Sequence, residues 1–130
     1  LKAAVEELAA ALEARGQKVS VFDLARDDMA EAVEDAFRYD RLVLASITYQ
    51  GEIFPCMSTF IHTLAEHAYQ NRTVALVESG SWAPAAAKVM TKELEGMKDI
   101  TLTQNKVTVL GSLNDASRAQ IEALADELSK

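Results

Sequence analysis

A chain of 130 residues, 49% apolar and 25% charged, suffices for one domain with its own core, and its composition is wrong for a disordered segment. A net charge of −7 argues against nucleic acid and against an anionic membrane surface, because both call for a basic footprint. It suits a soluble domain whose partner carries a basic surface, since opposite fields speed encounter.

Cys56 is the only cysteine, so no internal disulfide forms, and a reducing cytoplasm is the expected compartment. No apolar run approaches the ~20 residues of a bilayer span, and no signal-peptide pattern is present. Residues 1–130 read as one domain, without repeat, linker or low-complexity run.

Leu1, Val5, Leu8 and Leu12 recur at helical spacing until Gly16 stops them. The helical pattern opens at Leu1 with no capping residue before it, so the natural chain is expected to start earlier. Lys18 to Phe22 (KVSVF) is β-branched and aromatic and predicts a strand. Asp27 or Asp28 is placed to cap a short helix from about Met29 to Phe37. Arg41 to Ala45 (RLVLA) predicts a second strand, and residues 46–55 (SITYQGEIFP) form a loop. Met57, Phe60, Ile61, Leu64 and Ala68 then mark one helical face.

Arg72 to Val77 (RTVALV) predicts a third strand, and residues 79–84 (SGSWAP) a second loop. A helix from about Ala85 to Leu94 follows. Ile100 to Thr103 and Lys106 to Leu110 are β-rich, with a turn or bulge at Gln104–Asn105. Asn114 or Asp115 starts the last helix, whose core face is Ile121, Leu124, Ala125 and Leu128.

The strands LVLA and VALV are continuously apolar, as in parallel sheets covered by helices on both faces. Strand–helix alternation then predicts an α/β fold with a doubly wound parallel sheet. In such sheets ligands bind beyond the carboxyl ends of the strands. Both loops follow apolar strands there, and each carries hydroxyls, a glycine (Gly51, Gly80) and one large aromatic (Tyr49, Trp82). Aromatics for the faces and backbone groups for the edge suit a flat ligand with a polar rim.

The loop SITYQGEIFP resembles the S-P-T-Y-N-G-G-x-F-P loop of the flavodoxin-like domain in A-type flavoproteins, the flavodiiron family. SGSWAPAAAK resembles that family's S-Y-G-W-S-G-G-A-x-K segment. The spacing between the loops agrees too, and the likeness runs along essentially the whole chain. It implies a five-stranded, three-layer flavodoxin-like sheet that binds flavin mononucleotide (FMN). It places Ser46, Thr48, Tyr49, Gln50 and Gly51 around one side of the flavin ring. It places Ser79, Gly80, Ser81 and Trp82 around the other.

The family's first strand and its phosphate-cradling loop would precede Leu1. Ile47, Gln50 and Glu52 depart from the first motif, where the family has proline, asparagine and glycine. Gly80, Pro84 and Ala85 depart from the second, where it has tyrosine and two glycines. A carboxylate at Glu52 either disfavours an anionic reduced flavin or faces water.

Plainer readings stand beside these. Ser46 and Thr48 also suit local turns, since hydroxyls bond nearby backbone. Gly51 has a turn reading as well. Cys56, after Pro55 near a helix start, is either a small apolar residue or a thiol activated by the helix dipole. His62 and His67 are spaced poorly for one helical face, so no metal site is expected. Asp27, Asp28 and Glu31 read as capping and a solvated face.

Three functions are open. The first is an FMN-bearing electron-transfer module of a larger flavoprotein, with a redox partner protein or domain. The second is a stand-alone flavin-dependent reductase. The third is a flavodoxin-like domain without cofactor that serves binding or assembly.

Overall fold

The computed structural model describes residues 1–47, 55–80, 85–110 and 113–129. The first helix, α1 (Lys2–Ala14), buries Ala4, Leu8 and Leu12 on one stripe. It ends because Gly16 takes φ +82°, a left-handed conformation cheap for glycine. Gly16 N then donates to the Glu13 carbonyl and Gln17 N to that of Leu12, both at 3.0 Å, which satisfies the helix's last acceptors.

Residues 17–23 form no ladder, so the strand expected at 18–22 is not one among the described elements. Its side chains nevertheless alternate. Val19 packs with α1, whereas Phe22 joins the apolar cluster of the opposite layer. Strand propensity reflects the fit to a neighbouring strand, and none of the described strands pairs with this segment.

Asp28 caps α2 (Met29–Arg38) by accepting from Ala30 N at 2.9 Å. Asp27 accepts from Asp23 N in the preceding turn, so the cap is Asp28. Next come β1 (Arg41–Ile47), α3 (Pro55–Glu66) and β2 (Arg72–Gly80). Proline suits the first residue of α3, where its missing N–H is no loss.

Three departures from the sequence reading occur in this stretch. Ser46, Ser79 and Gly80, expected in loops, are the last residues of strands. Ala68, expected on the core face of the helix, lies beyond its end at φ +57° and is exposed. Tyr69 takes the buried place instead.

The remaining elements are α4 (Ala86–Leu94), β3 (Ile100–Leu102), β4 (Val107–Leu110) and α5 (Asp115–Leu128). The sheet is parallel throughout. β2 pairs with β1 on one edge, and with β3 and then β4 on the other. β3 and β4 are thus two halves of one edge, interrupted at 103–106, where the sequence predicts its bulge. Glu127 of α5 secures the interruption. Its carboxylate accepts from Gln104 N, Asn105 N and Asn105 Nδ2, each at 2.9 Å. A reciprocal pair starts α5: Asn114 Oδ1 accepts from Ser117 N, while Ser117 Oγ accepts from Asn114 N.

The expected two-sided burial is present. Leu42, Leu44, Val74 and Leu76 face the layer of α2, α3 and α4. Val43, Ala45, Ala75 and Val77 face α1 and α5. At the amino ends of the strands, Arg72 donates to the carbonyls of Phe37, Tyr39 and Gln70 and lies 5.2 Å from the Tyr69 ring centre. Phe37 meets Tyr69 edge-on, with centroids 5.1 Å apart.

Two outcomes test this packing. Glu127→Ala should lower stability by about 1–3 kcal/mol, because three donors lose a charged acceptor. Urea unfolding checks it, and an unchanged midpoint would show that the bulge holds without this anchor. The Tyr69 hydroxyl is buried with no hydrogen-bond partner, so Tyr69→Phe should not destabilise at neutral pH. Burial pushes the Tyr69 phenol up to about 12; the Arg72 cation opposes the rise and Asp40 adds to it. Between its ordinary pKa of 10.0 and about 12, the unfolded chain has lost this proton and the folded chain keeps it. Stability therefore falls as pH rises through that window. Tyr69→Phe should flatten the fall, and parallel losses in both proteins on going from pH 9 to 11 would refute the assignment.

Candidate functional site

The apolar runs of β1 and β2 turn polar at their carboxyl ends. The register aligns Ser46 with Glu78 and Ile47 with Ser79. On the other edge it aligns Glu78 with Thr108 and Gly80 with Leu110. Residues in register on neighbouring strands share a face, so Ser46, Glu78 and Thr108 form a polar row on the α3–α4 side. The row is sequestered: Ser46 is 4% and Glu78 3% exposed, and Ser79 above them is 9% exposed. Helices cover the middle of the sheet on both faces, so polar groups in these strands are tolerated at the ends.

Ser46 and Glu78 both carry explicit bonds. Ser46 Oγ donates to the Ile47 carbonyl at 3.1 Å, a local bond of the kind the plainer reading anticipates. Glu78 Oε1 accepts from Ala87 N at 3.1 Å. Glu78 Oε2 accepts from Thr108 Oγ1 at 2.9 Å and pairs with Lys106 Nζ at 3.3 Å. Sequence reasoning passed over Glu78 because it sits between an apolar strand and a loop, where a carboxylate looks solvated. The signal available was its position at the end of a continuously apolar strand.

Of the candidate residues, the structure brings Ser46, Ser79 and Gly80 together on adjacent strand ends. Thr48, Tyr49, Gln50, Gly51, Ser81 and Trp82 lie outside the described residues, as does Glu52. Cys56 is partly buried near the start of α3, while His62 and His67 are exposed. Among the described residues no group of three or more His, Cys, Asp or Glu is placed to hold a metal ion.

Two surface hollows flank the helices. One, about 610 Å³, is lined by Val33, Glu34, Phe37, Arg38 and His67 at the opposite end of the sheet. The other, about 470 Å³, flanks α4 beside Lys88, Lys92 and Lys106. Both are open, and neither includes Ser46, Ser79 or Gly80. Among the described residues no helix is long and apolar enough to cross a membrane.

This arrangement defines a class by its fold. The chain is similar to rubredoxin oxygen:oxidoreductase from Desulfovibrio gigas, with a TM-score of 0.91 at 17% identity, over 98% of this chain and 32% of that one. It is similar to a flavodoxin from the domain Archaea, with a TM-score of 0.83 at 17% identity, over 98% and 87%. A flavo di-iron protein from Thermotoga maritima gives 0.81 at 22% identity, over 98% and 32%. The chain thus spans about a third of the two larger proteins and most of the flavodoxin. No protein-family model and no curated protein matches the sequence. The fold is flavodoxin-like: a parallel sheet between two helical layers, with the candidate site at the strand ends.

Proposed function

We propose that the chain is an FMN-binding electron-transfer module of a larger flavoprotein of the flavodiiron kind. The observation that carries this reading is the register of Ile47 with Ser79. It makes the two motif-bearing loops leave the sheet from adjacent strands at the same level. In sequence, the first of these carries Thr48, Tyr49, Gln50 and Gly51, and the second Ser81 and Trp82. Flavodoxin and flavo di-iron proteins among its structural neighbours support the same reading.

The donor set fits the ring of FMN. Hydroxyls and strand-end backbone groups suit an uncharged polar edge, and aromatic side chains suit a flat face. In this reading Ser46, Ser79 and Gly80 form the floor of the ring site, and the two loops form its walls. FMN would supply the redox chemistry, while the protein supplies orientation and electrostatics. Among the described residues the cation nearest the strand ends, Lys106, is engaged by Glu78. The reading thus assigns the strand ends to the ring and not to the phosphate. The net charge of −7 favours a redox partner with a basic surface, and a cytoplasmic setting suits the single cysteine.

The test is FMN titration of the natural full-length protein, followed by flavin fluorescence. Binding should quench the fluorescence through Trp82. Trp82→Ala should weaken binding by about ten- to a hundredfold, the equivalent of one lost stacking partner. Unchanged affinity in the variant would remove Trp82 from the site. A full-length protein with no affinity for FMN would favour the binding or assembly module instead.

A further inference from the structure

The net charge of −7 is not spread evenly over the chain. The hollow of about 470 Å³ beside α4 is lined by three cations, Lys88, Lys92 and Lys106, against one carboxylate, Glu95. Leu76 and Ala87, both buried, lie at its floor. Lys106 is engaged by Glu78 at 3.3 Å. Lys88 and Lys92 are exposed on α4, and neither makes an ion pair with a described residue.

For the fold alone, Lys88 is badly placed. It sits in the first turn of α4, at the positive end of the helix dipole, where a carboxylate is favourable and a cation is not. Lys92 follows four residues later on the same helical face, and like charges at that spacing disfavour a helix. Lys92 itself suits the last turn. The buried carboxylate at the start of α4, Glu78, is already met by Lys106 and calls for no second cation. Lys88 therefore opposes its own helix in two ways and neutralises nothing within the described chain, which fits an anion arriving from outside.

The sheet surface beside these lysines is apolar and open. On the far face α5 packs over β4, and Val107 and Val109 are buried in its cluster. On the α4 face the edge strand carries Leu102 and Leu110, 38% and 57% exposed, which join neither apolar cluster. Register puts Leu102 beside Val74 and Leu110 beside Gly80, on the face of β2 that Leu76 also occupies. Exposed leucines beside a charged rim have the make-up of a protein-docking surface. We propose that the groove between α4 and the edge strand β3–β4 docks an acidic, amphipathic segment of a partner protein. Its carboxylates pair with Lys88 and Lys92, and its apolar side chains cover Leu76 and Leu102. The net charge of −7 repels acidic chains that lack the apolar contact, which makes the groove selective. The hollow includes none of Ser46, Ser79 and Gly80, so the proposal stands without the FMN reading.

The experiment uses the natural full-length protein and a rhodamine-labelled, alanine-based helical peptide with a leucine stripe flanked by glutamates at i and i+4. A second peptide has lysine in place of every glutamate. Fluorescence anisotropy should show the acidic peptide bound with a Kd below roughly 1 mM, and the basic peptide at least about tenfold more weakly. Lys88→Glu and Lys92→Glu should each weaken the acidic peptide by at least about tenfold. Leu102→Ser should weaken it by about threefold or more, through lost apolar contact. Lys18→Glu makes the same charge change elsewhere on the surface, and it should leave affinity within about twofold.

Urea unfolding of the same proteins shows that they are folded and tests the reading of Lys88. Lys88→Glu should unfold at a higher urea concentration than the natural protein, because it removes both penalties at that position. A lower midpoint would mean that the fold itself requires Lys88, and overturns the proposal. So does any of three binding results: no affinity for the acidic peptide, equal affinity for both peptides, or equal losses in Lys88→Glu and Lys18→Glu. Unchanged affinity in Leu102→Ser overturns the apolar contact and with it the amphipathic partner. Sedimentation velocity at the same concentrations tests a second copy as the occupant. A dimer that dissociates in Lys88→Glu would assign the groove to self-association and overturn the acidic partner.

Discussion

β2 is covered on both faces and paired along both edges, and the rest of the structure is arranged to make that possible. Val74, Ala75, Leu76 and Val77 are all buried, two toward each helical layer. A strand in that position has no solvated side on which to place polar residues. Its neighbours must supply the hydrogen bonds to its backbone: β1 pairs in parallel along one edge, and β3 and β4 along 72–74 and 77–80 of the other. The helices must then cover it, with α3 and α4 over one face and α1 and α5 over the other. Parallel strands require crossovers, and those crossovers are the helices that do the covering.

The same constraint locates the chemistry. A strand buried on both faces becomes polar where its covering layers end. Ser46, Glu78 and Thr108 mark that boundary on three neighbouring strands. Polar groups at such a boundary are held by the scaffold around them. This is why the strand ends can position groups that a free loop could not. Glu78 shows the principle most directly, since it holds α4 and β4 to the end of the strand that carries it.

At the opposite end, stability comes from a different set of contacts. Arg72 gathers three carbonyls at the end of α2 and before β2, and packs on Tyr69. Arg15 joins α1 to α5 through Glu122 at 2.7 Å and Asp126 at 2.8 Å. That pair of bonds is largely exposed and adds orientation more than energy. The sheet is thus clamped at its amino ends by a partly buried cation–aromatic cluster.

How much of this could be read from the residues depends on the range of the interaction concerned. Local periodicity and capping determined the helices: Leu8 and Leu12 on α1, Gly16 at its end, Asp27 or Asp28 before α2, Asn114 or Asp115 before α5; the structure selects Asp28 and Asn114. The apolar runs at 42–45 and 74–77 pointed to a parallel sheet covered on both faces, the setting in which unbroken apolar strands are usual. The two loop motifs pointed to the strand ends, and the register of Ile47 with Ser79 brings those ends together.

Other features were decided by tertiary structure. KVSVF has strand composition yet forms no ladder, because a strand requires a neighbour that its own residues do not specify. Ala68 fits the helical period but gives way to Tyr69, since the chain turns at φ +57° to begin the approach to β2. Glu78 looks like a loop carboxylate until β4 and α4 converge on it from residues 9 to 30 positions away. Periodicity reports what neighbours in sequence do together. The partners of a buried charge are chosen by the packing of elements far apart in the chain, and only the folded arrangement brings them within hydrogen-bonding distance.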